Sequence, residues 1–311
     1  EYISDEEQVS FPWSMIDKIT PRPAESVCES LKELGIENME PVITSKNTYI
    51  APFVNAEGPQ YLVIEDKFPN GRPALEKAGV YLTDRDTVNK VERMKVTTCL
   101  NPLHTALAVY GCLLGYTLIA DEMKDVELNK LVHEIGPDEG MPVVTNPGIL
   151  SPEAFVDEVI NVIDEVLNIR IPNPFMPDTP QRIATDTSQK VGIRYGETIK
   201  SYVSKYGDAK KLKAIPLAIA GWCRYLLGVD DNGEKFERSS DPMLCELTDI
   251  LKEIEVGKPE TYKGQLKTIL SNKNIFGSDL YEAGIGNLIE EMFKKEIAEP
   301  GAVRKTLKEY L

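Results

Sequence analysis

Lys95, Asn101 and His104 fall within ten residues of one another in VERMKVTTCLNPLHTALAVYGCLLGYTLIAD, the stretch from Val91 to Asp121. An amine, an amide and an imidazole are the groups with which a protein moves a proton, donates to an oxygen that is gaining negative charge and orients a substrate. Redox chemistry at a carbonyl, or acyl transfer, would use such a set. A plainer reading fits the same residues: a surface charge, a helix cap and a core histidine.

A second set lies downstream. Arg182, Asp186 and Lys190 are spaced four apart after the capping signal Asp178-Thr179-Pro180, and Arg194 follows one turn later. On one helix these residues fall along one side. Three cations there would attract an anionic substrate or pair with a carboxylate; on spacing alone an ordinary ladder with Asp186 is the favoured explanation. Glu65-Asp66 ends a strand-like run and reads as a solvated strand end, with no second acid partner for catalysis.

The elements that must position these groups are mostly helical. Asn101-Pro102 reads as an N-cap with proline at the first helical position. The run from Leu103 to Ala120 is apolar on nearly every face, so it predicts a buried helix. Thr87 to Cys99 reads as a helical arm ending in β-branched Val96-Thr97-Thr98, which places the polar triplet at a break or bulge. Upstream, AESVCESLKELG predicts a helix closed by Gly35. The only clear strand character lies between Val42 and Phe68, in PVITS, TYIAPFV and YLVIEDKF, followed by a turn from Pro69 to Pro73. A Gly- and Pro-rich loop is expected from Gly136 to Leu150. PEAFVDEVINVIDEVL then predicts an amphipathic helix with Phe155, Val159, Ile163, Val166 and Leu167 on one face. The later helices carry no chemical constellation and read as scaffold.

Composition narrows the function. A chain of 311 residues is comfortable for two domains. A net charge of -15 and a pI near 4.8 exclude nucleic acid and acidic membrane surfaces as partners. No eighteen-residue window is free of polar groups, so no membrane span is expected. Five scattered cysteines and two histidines predict reduced thiols and no metal site. With no signal peptide, the cytoplasm is the expected compartment. Gly284-Ile285-Gly286 is the nearest approach to a dinucleotide-binding glycine run, but it lies in a helical pattern and reads as helix packing.

Four ordered blocks carry a resemblance. They are FPWSMIDKITP at Phe11–Pro21, YLVIEDKFPNGRPALEKAGV at Tyr61–Val80, Lys95 to Tyr116 with Asn101 and His104, and RIPNPFMPDTPQRIATDTSQKVGIR at Arg170–Arg194. The chain resembles the polyol-specific long-chain dehydrogenases and reductases, which include mannitol 2-dehydrogenases and fructuronate and tagaturonate reductases. The resemblance implies a mainly α fold: a multi-helical substrate domain over 87–311, preceded by a short α/β segment over 1–86, its strands at about 42–68, completing a Rossmann-type domain. It implies a carboxy-terminal portion of a larger enzyme using NAD or NADP, with the cofactor-binding residues outside the sequence.

By the same resemblance, Lys95 is the acid–base group, its ammonium made acidic by burial beside other cations. Asn101 and His104 hold the reacting oxygen or a hydroxyl. Asp17, Arg182, Lys190 and Arg194 line the substrate pocket, although a capping or salt-bridging aspartate describes Asp17 as well. The substrate is a small sugar or sugar acid. Thr185, where some mannitol dehydrogenases have a histidine, and the Ser188-Gln189-Lys190 string with Arg194 favour a hexuronate such as fructuronate. Mannitol–fructose interconversion is the alternative, and a non-catalytic helical binding module is the alternative of another class. The oligomeric state and the choice of cofactor stay open.

One departure carries a structural expectation. Family members place the asparagine five and the histidine eight residues after the lysine; here the offsets are six and nine. One residue inserted into a helix is absorbed most readily as a π-bulge, which is therefore expected between Lys95 and Asn101.

Overall fold

A computed structural model describes residues 2–18, 20, 23–58, 61–149, 151–173 and 178–311, with the backbone alone for 152–154. The described chain divides into two compact units. One comprises residues 1–91 with 173–177, the other 92–172 with 178–311.

The first unit holds all five named strands. β1 (Ser14–Asp17), β4 (Tyr61–Glu65) and β5 (Tyr81–Thr83) form one sheet; β2 (Val42–Ile43) and β3 (Tyr49–Ile50) form a separate hairpin. β1 runs antiparallel to β4, with Asp17 opposite Tyr61, and β5 runs parallel to β4, with Val63 opposite Tyr81. The strand expectation therefore needs correction. β1 and β5 lie outside residues 42–68, and the PVITS and TYIAPFV runs pair with each other rather than with β4. Helix α1 (Glu25–Glu33) forms as expected and is followed by Gly35 at φ 81°, the left-handed position a glycine fills without strain. Glu65 accepts from the Trp13 N–H at 3.0 Å and pairs with Arg85 at 2.9 Å, while Asp66 takes both branches of Arg72. These two carboxylates tie the strand end down.

A helical stretch then runs through α2 (Arg85–Glu92), a π-helix π1 (Arg93–Leu100) and α3 (Asn101–Leu114). The expected bulge is π1. Its closing bond runs from the Asn101 N–H to the Val96 carbonyl, five residues back. Pro102 supplies the physical reason. It offers no N–H and its ring crowds the carbonyl four residues earlier, and a widened turn relieves both defects. Asn101 is accordingly not a cap: it has helical φ −65° and ψ −35° inside continuous helix.

α3 is also shorter than its apolar run. Gly115, at φ 80°, stops it, and the separate α4 (Ile119–Glu122) follows. From Pro102 to Leu113 every residue of α3 is buried except His104. Each fully buried Leu or Val here contributes about 1.5–3 kcal/mol of transfer free energy.

α5 (Val126–His133) continues into π2 (Glu134–Gly140) and a 3₁₀ turn at Met141–Val143, so the loop expected from Gly136 is helical for its first half. What holds it is Glu139. This buried carboxylate accepts from the N–H groups of Lys213, Ala214 (2.8 Å) and Ile215 (2.8 Å) and so caps α10 (Ala214–Tyr225). α6 (Pro152–Glu165) runs into π3 (Val166–Arg170), with Phe155, Val159, Ile163, Val166 and Leu167 all buried as its periodicity requires.

α7 (Pro180–Ile183), α8 (Thr187–Val191), π4 (Gly192–Gly196) and α9 (Glu197–Tyr206) follow. The remaining helices are α11 (Leu244–Leu251), α12 (Leu266–Leu270), α13 (Lys273–Phe276), α14 (Gly286–Glu296) and α15 (Ala302–Tyr310). α10 sits at the centre, packed on α3 and α14, with Trp222 fully enclosed. Among the described residues no helix is long and apolar enough to cross a membrane, and no group of His, Cys, Asp and Glu could hold a metal ion.

Candidate active site

Among the described residues, three of the four π-helices carry a buried or half-buried basic side chain: Lys95 on π1, Arg170 on π3 and Arg194 on π4. π-turns concentrate at functional sites because a widened turn re-aims a side chain without ending the helix. π1 packs against α3, α6, π2 and π4.

Lys95 is 5% exposed. Its Nζ lies 3.8 Å from the Glu158 carboxylate on α6. Asn101 and His104, three residues apart at the start of α3, share one face of that helix. The Asn101 carbonyl accepts from Thr105 Oγ1 at 2.9 Å.

Arg194 reaches this face of α3, its Nη1 donating to Thr105 Oγ1, and Tyr195 donates to the Pro102 carbonyl at 3.1 Å. π4 is brought close to α13 by two glycines. A Cβ on Gly192 would lie 1.9 Å from the Ile275 carbonyl oxygen, and one on Gly196 would lie 2.3 Å from that of Phe276. No larger residue permits that approach.

His104 is the focus of the charge distribution. Burial lowers its pKa to about 4; Asp178 opposes the shift, and Arg194, Arg170 and Arg182 add to it. The imidazole is therefore neutral at physiological pH, able to donate from one nitrogen and accept at the other. Burial, and then the positive field of Arg194, likewise lower the pKa of Lys190, whose ammonium donates to the Thr185 carbonyl. Burial also lowers that of Arg194, which nonetheless keeps its charge at any physiological pH.

The expected ladder along one helix is not there. The chain breaks between α7 and α8, and Asp186 adopts φ 54°, ψ 36°, with its N–H donating to the Ser240 carbonyl at 2.9 Å. A left-handed residue reverses the helical path, and aspartate is among the few side chains that tolerate it. Arg182 pairs instead with Asp178 through both branches of its guanidinium. α8 is anchored from outside: Asp241 accepts from the Ser188 N–H at 2.7 Å and from both hydroxyls of Thr187 and Ser188. Lys190 and Arg194 keep their helical spacing on α8 and π4, while tertiary packing brings Arg182 and Arg194 to His104. Asp17 belongs to the first unit, where it ends β1 with only 6% exposure.

Two residues of the cluster escaped the sequence reading. Arg170 is 5% exposed and adds its charge at His104; its signal was an arginine closing an apolar run, too common to single out. Asp178 read only as a capping residue.

The helical unit is thus built on π-turns, with a buried lysine on one of them and three arginines acting on a neutral histidine. The chain belongs to the family described as Mannitol dehydrogenase C-terminal domain, which it matches over residues 87–296. It is 60% identical to a D-mannonate oxidoreductase of Thermotoga maritima, over 98% of this chain and 56% of that protein. It is 31% identical to a mannitol 2-dehydrogenase of Neosartorya fischeri, over 98% of this chain and 54% of that protein. Among solved structures it resembles the Pseudomonas fluorescens mannitol 2-dehydrogenase ternary complex with NAD and D-mannitol. The TM-score is 0.73 at 27% identity, over 99% of this chain and 55% of that one. The chain thus spans about half the length of these relatives.

Proposed function

We propose that this chain is the substrate-handling half of a NAD-dependent oxidoreductase that interconverts a keto sugar acid and its aldonate, with fructuronate and mannonate as the pair. The observation that carries the choice of an acid is the positive field of Arg194, Arg170 and Arg182 at neutral His104, with Lys190 beside Arg194, within a chain of net charge -15. In so acidic a protein a local excess of cations marks the place where a carboxylate is received. The 60% identity to a D-mannonate oxidoreductase supports the same pair.

Lys95 is the proton donor to the carbonyl oxygen in reduction and the acceptor in oxidation. Asn101 donates to that oxygen as charge develops on it, and His104 fixes a substrate hydroxyl. Arg194, held by Thr105, receives the carboxylate. NAD supplies or accepts the hydride. No strand in the described residues leads into a G-x-G-x-x-G turn, so no residue of this chain is assigned to the dinucleotide. The cytoplasm is the compartment this reading implies, and it suits five free thiols.

Mannitol–fructose interconversion is the second reading, favoured by relatives at 30–31% identity. NADH-dependent reduction of fructuronate and of fructose, measured on the full-length gene product that carries this chain, separates the two. A kcat/KM for fructuronate at least about 100-fold above that for fructose is expected if one charged contact to the carboxylate is worth about 3 kcal/mol. Equal values, or a preference for fructose, would replace the first reading by the second.

A further inference from the structure

Lys95 has four rotatable carbons and almost no solvent contact, and a flexible ammonium in such a place has to be aimed by something. α6 packs against π1 and presents Glu158 at the edge of its buried stripe, between Phe155 and Val162. The side chain of Glu158 is 27% exposed, and its Oε1 stands 3.8 Å from Lys95 Nζ. The other elements packed on π1 also carry charged or titratable groups. Of these, Glu139 on π2 is committed to the N-terminus of α10, and Arg194 on π4 donates to Thr105. Glu134 and Asp138 on π2, His104, Tyr110 and Cys112 on α3, and Tyr195 on π4 complete that set.

We propose that Glu158 is a positioning residue for Lys95: its carboxylate, 3.8 Å from the ammonium, sets the direction in which the lysine offers its proton. The inference rests on the assignment of Lys95 as the proton donor. A buried charge is tolerated when a counter-charge lies within ion-pair reach, and that counter-charge fixes where the ammonium rests. In reduction the proton leaves Lys95 for the substrate oxygen, and the neutral amine is recharged from solvent.

The test compares Glu158→Gln and Glu158→Asp with the wild type in the full-length gene product. Misaiming a reacting group by about 1 Å loses on the order of 100-fold in rate. E158Q should therefore lower kcat for fructuronate about 10- to 100-fold and leave KM within about twofold. E158D should recover most of the rate. Unchanged kcat in E158Q overturns the proposal. So does a fall in kcat that E158D fails to rescue, or that comes with an equal rise in KM, which is the mark of a merely structural glutamate. Lys95→Ala separates the two levels: if it is inactive while E158Q is normal, only Glu158 loses its role; if it is active, the assignment of Lys95 fails first.

Discussion

Arg194 Nη1 donates to Thr105 Oγ1, on the residue that follows His104, and Thr105 passes the bond on to the Asn101 carbonyl at 2.9 Å. One hydroxyl thus connects the cation proposed to receive the substrate carboxylate with the backbone of the residue proposed to hold the reacting oxygen. Arg194→Met removes the charge and keeps much of the volume. A hydrogen bond to a charged group is worth about 1.5–3 kcal/mol, so KM for fructuronate should rise about 10- to 100-fold. Fructose, which has no carboxylate, should be affected far less. Steady-state kinetics on both sugars checks this.

Gly192→Ala should be among the most damaging small substitutions in the helical unit. Its Cβ would meet backbone rather than a movable side chain, at 1.9 Å from the Ile275 carbonyl oxygen. Overpacking of this kind destabilises by about 1–3 kcal/mol. Because π4 carries Arg194, KM for fructuronate should rise along with the fall in Tm. Thermal melts combined with kinetics test the pairing; a lowered Tm with unchanged KM would separate π4 from substrate binding.

The His104 imidazole gives a pH signature. Its folded pKa of about 4 lies below the unfolded value of 6.5. A depressed value means that the unfolded chain takes up the proton first. The stability this group contributes is therefore present above pH 6.5 and is lost as pH falls through 4, by up to about 3 kcal/mol. Proton NMR of the imidazole should show a midpoint near 4. His104→Gln should flatten the dependence of Tm on pH over that window.

Glu296 gives the opposite signature. The Tyr110 hydroxyl stands 2.7 Å from both the Leu217 carbonyl and Glu296 Oε1, and its one proton can serve only one of them. Burial raises the pKa of Glu296 to about 8, so the carboxyl keeps its own proton at neutral pH and both contacts are satisfied. With a folded value above the unfolded 4.5, its contribution is full below pH 4.5 and is lost as pH rises through 8. Glu296→Gln should remove that decline. A Tm that falls equally in both proteins between pH 5 and 8 would contradict the assignment.

The sequence was most legible where a local rule was broken. One residue too many between Lys95 and Asn101 announced a π-turn, because a helix has few ways to absorb it, and Pro102 fixed its place. The buried stripe of α6 was equally readable from its period. The break at Asp186 was not, because spacing of four satisfies a helical pattern whether or not the helix continues. The left-handed turn there is held by Ser240 and Asp241, some fifty residues away in sequence. β1 and β5, of four and three residues, are too short for alternation to show and exist because β4 lies between them. The charge gathered at His104 is likewise tertiary: Arg170, Arg182 and Arg194 arrive from three separate elements.

The central claim is that Lys95 supplies the proton for reduction of a sugar acid. The most direct measurement is NADH oxidation by the full-length Lys95→Ala protein with saturating fructuronate, alongside calorimetric binding of mannonate to the same protein. Turnover reduced by at least about 1,000-fold, with mannonate still bound within a few-fold of wild type, is the predicted result, since it removes acid catalysis and leaves the basic cluster intact. Turnover within tenfold of wild type would contradict the account, and loss of mannonate binding would show Lys95 to be a binding residue instead.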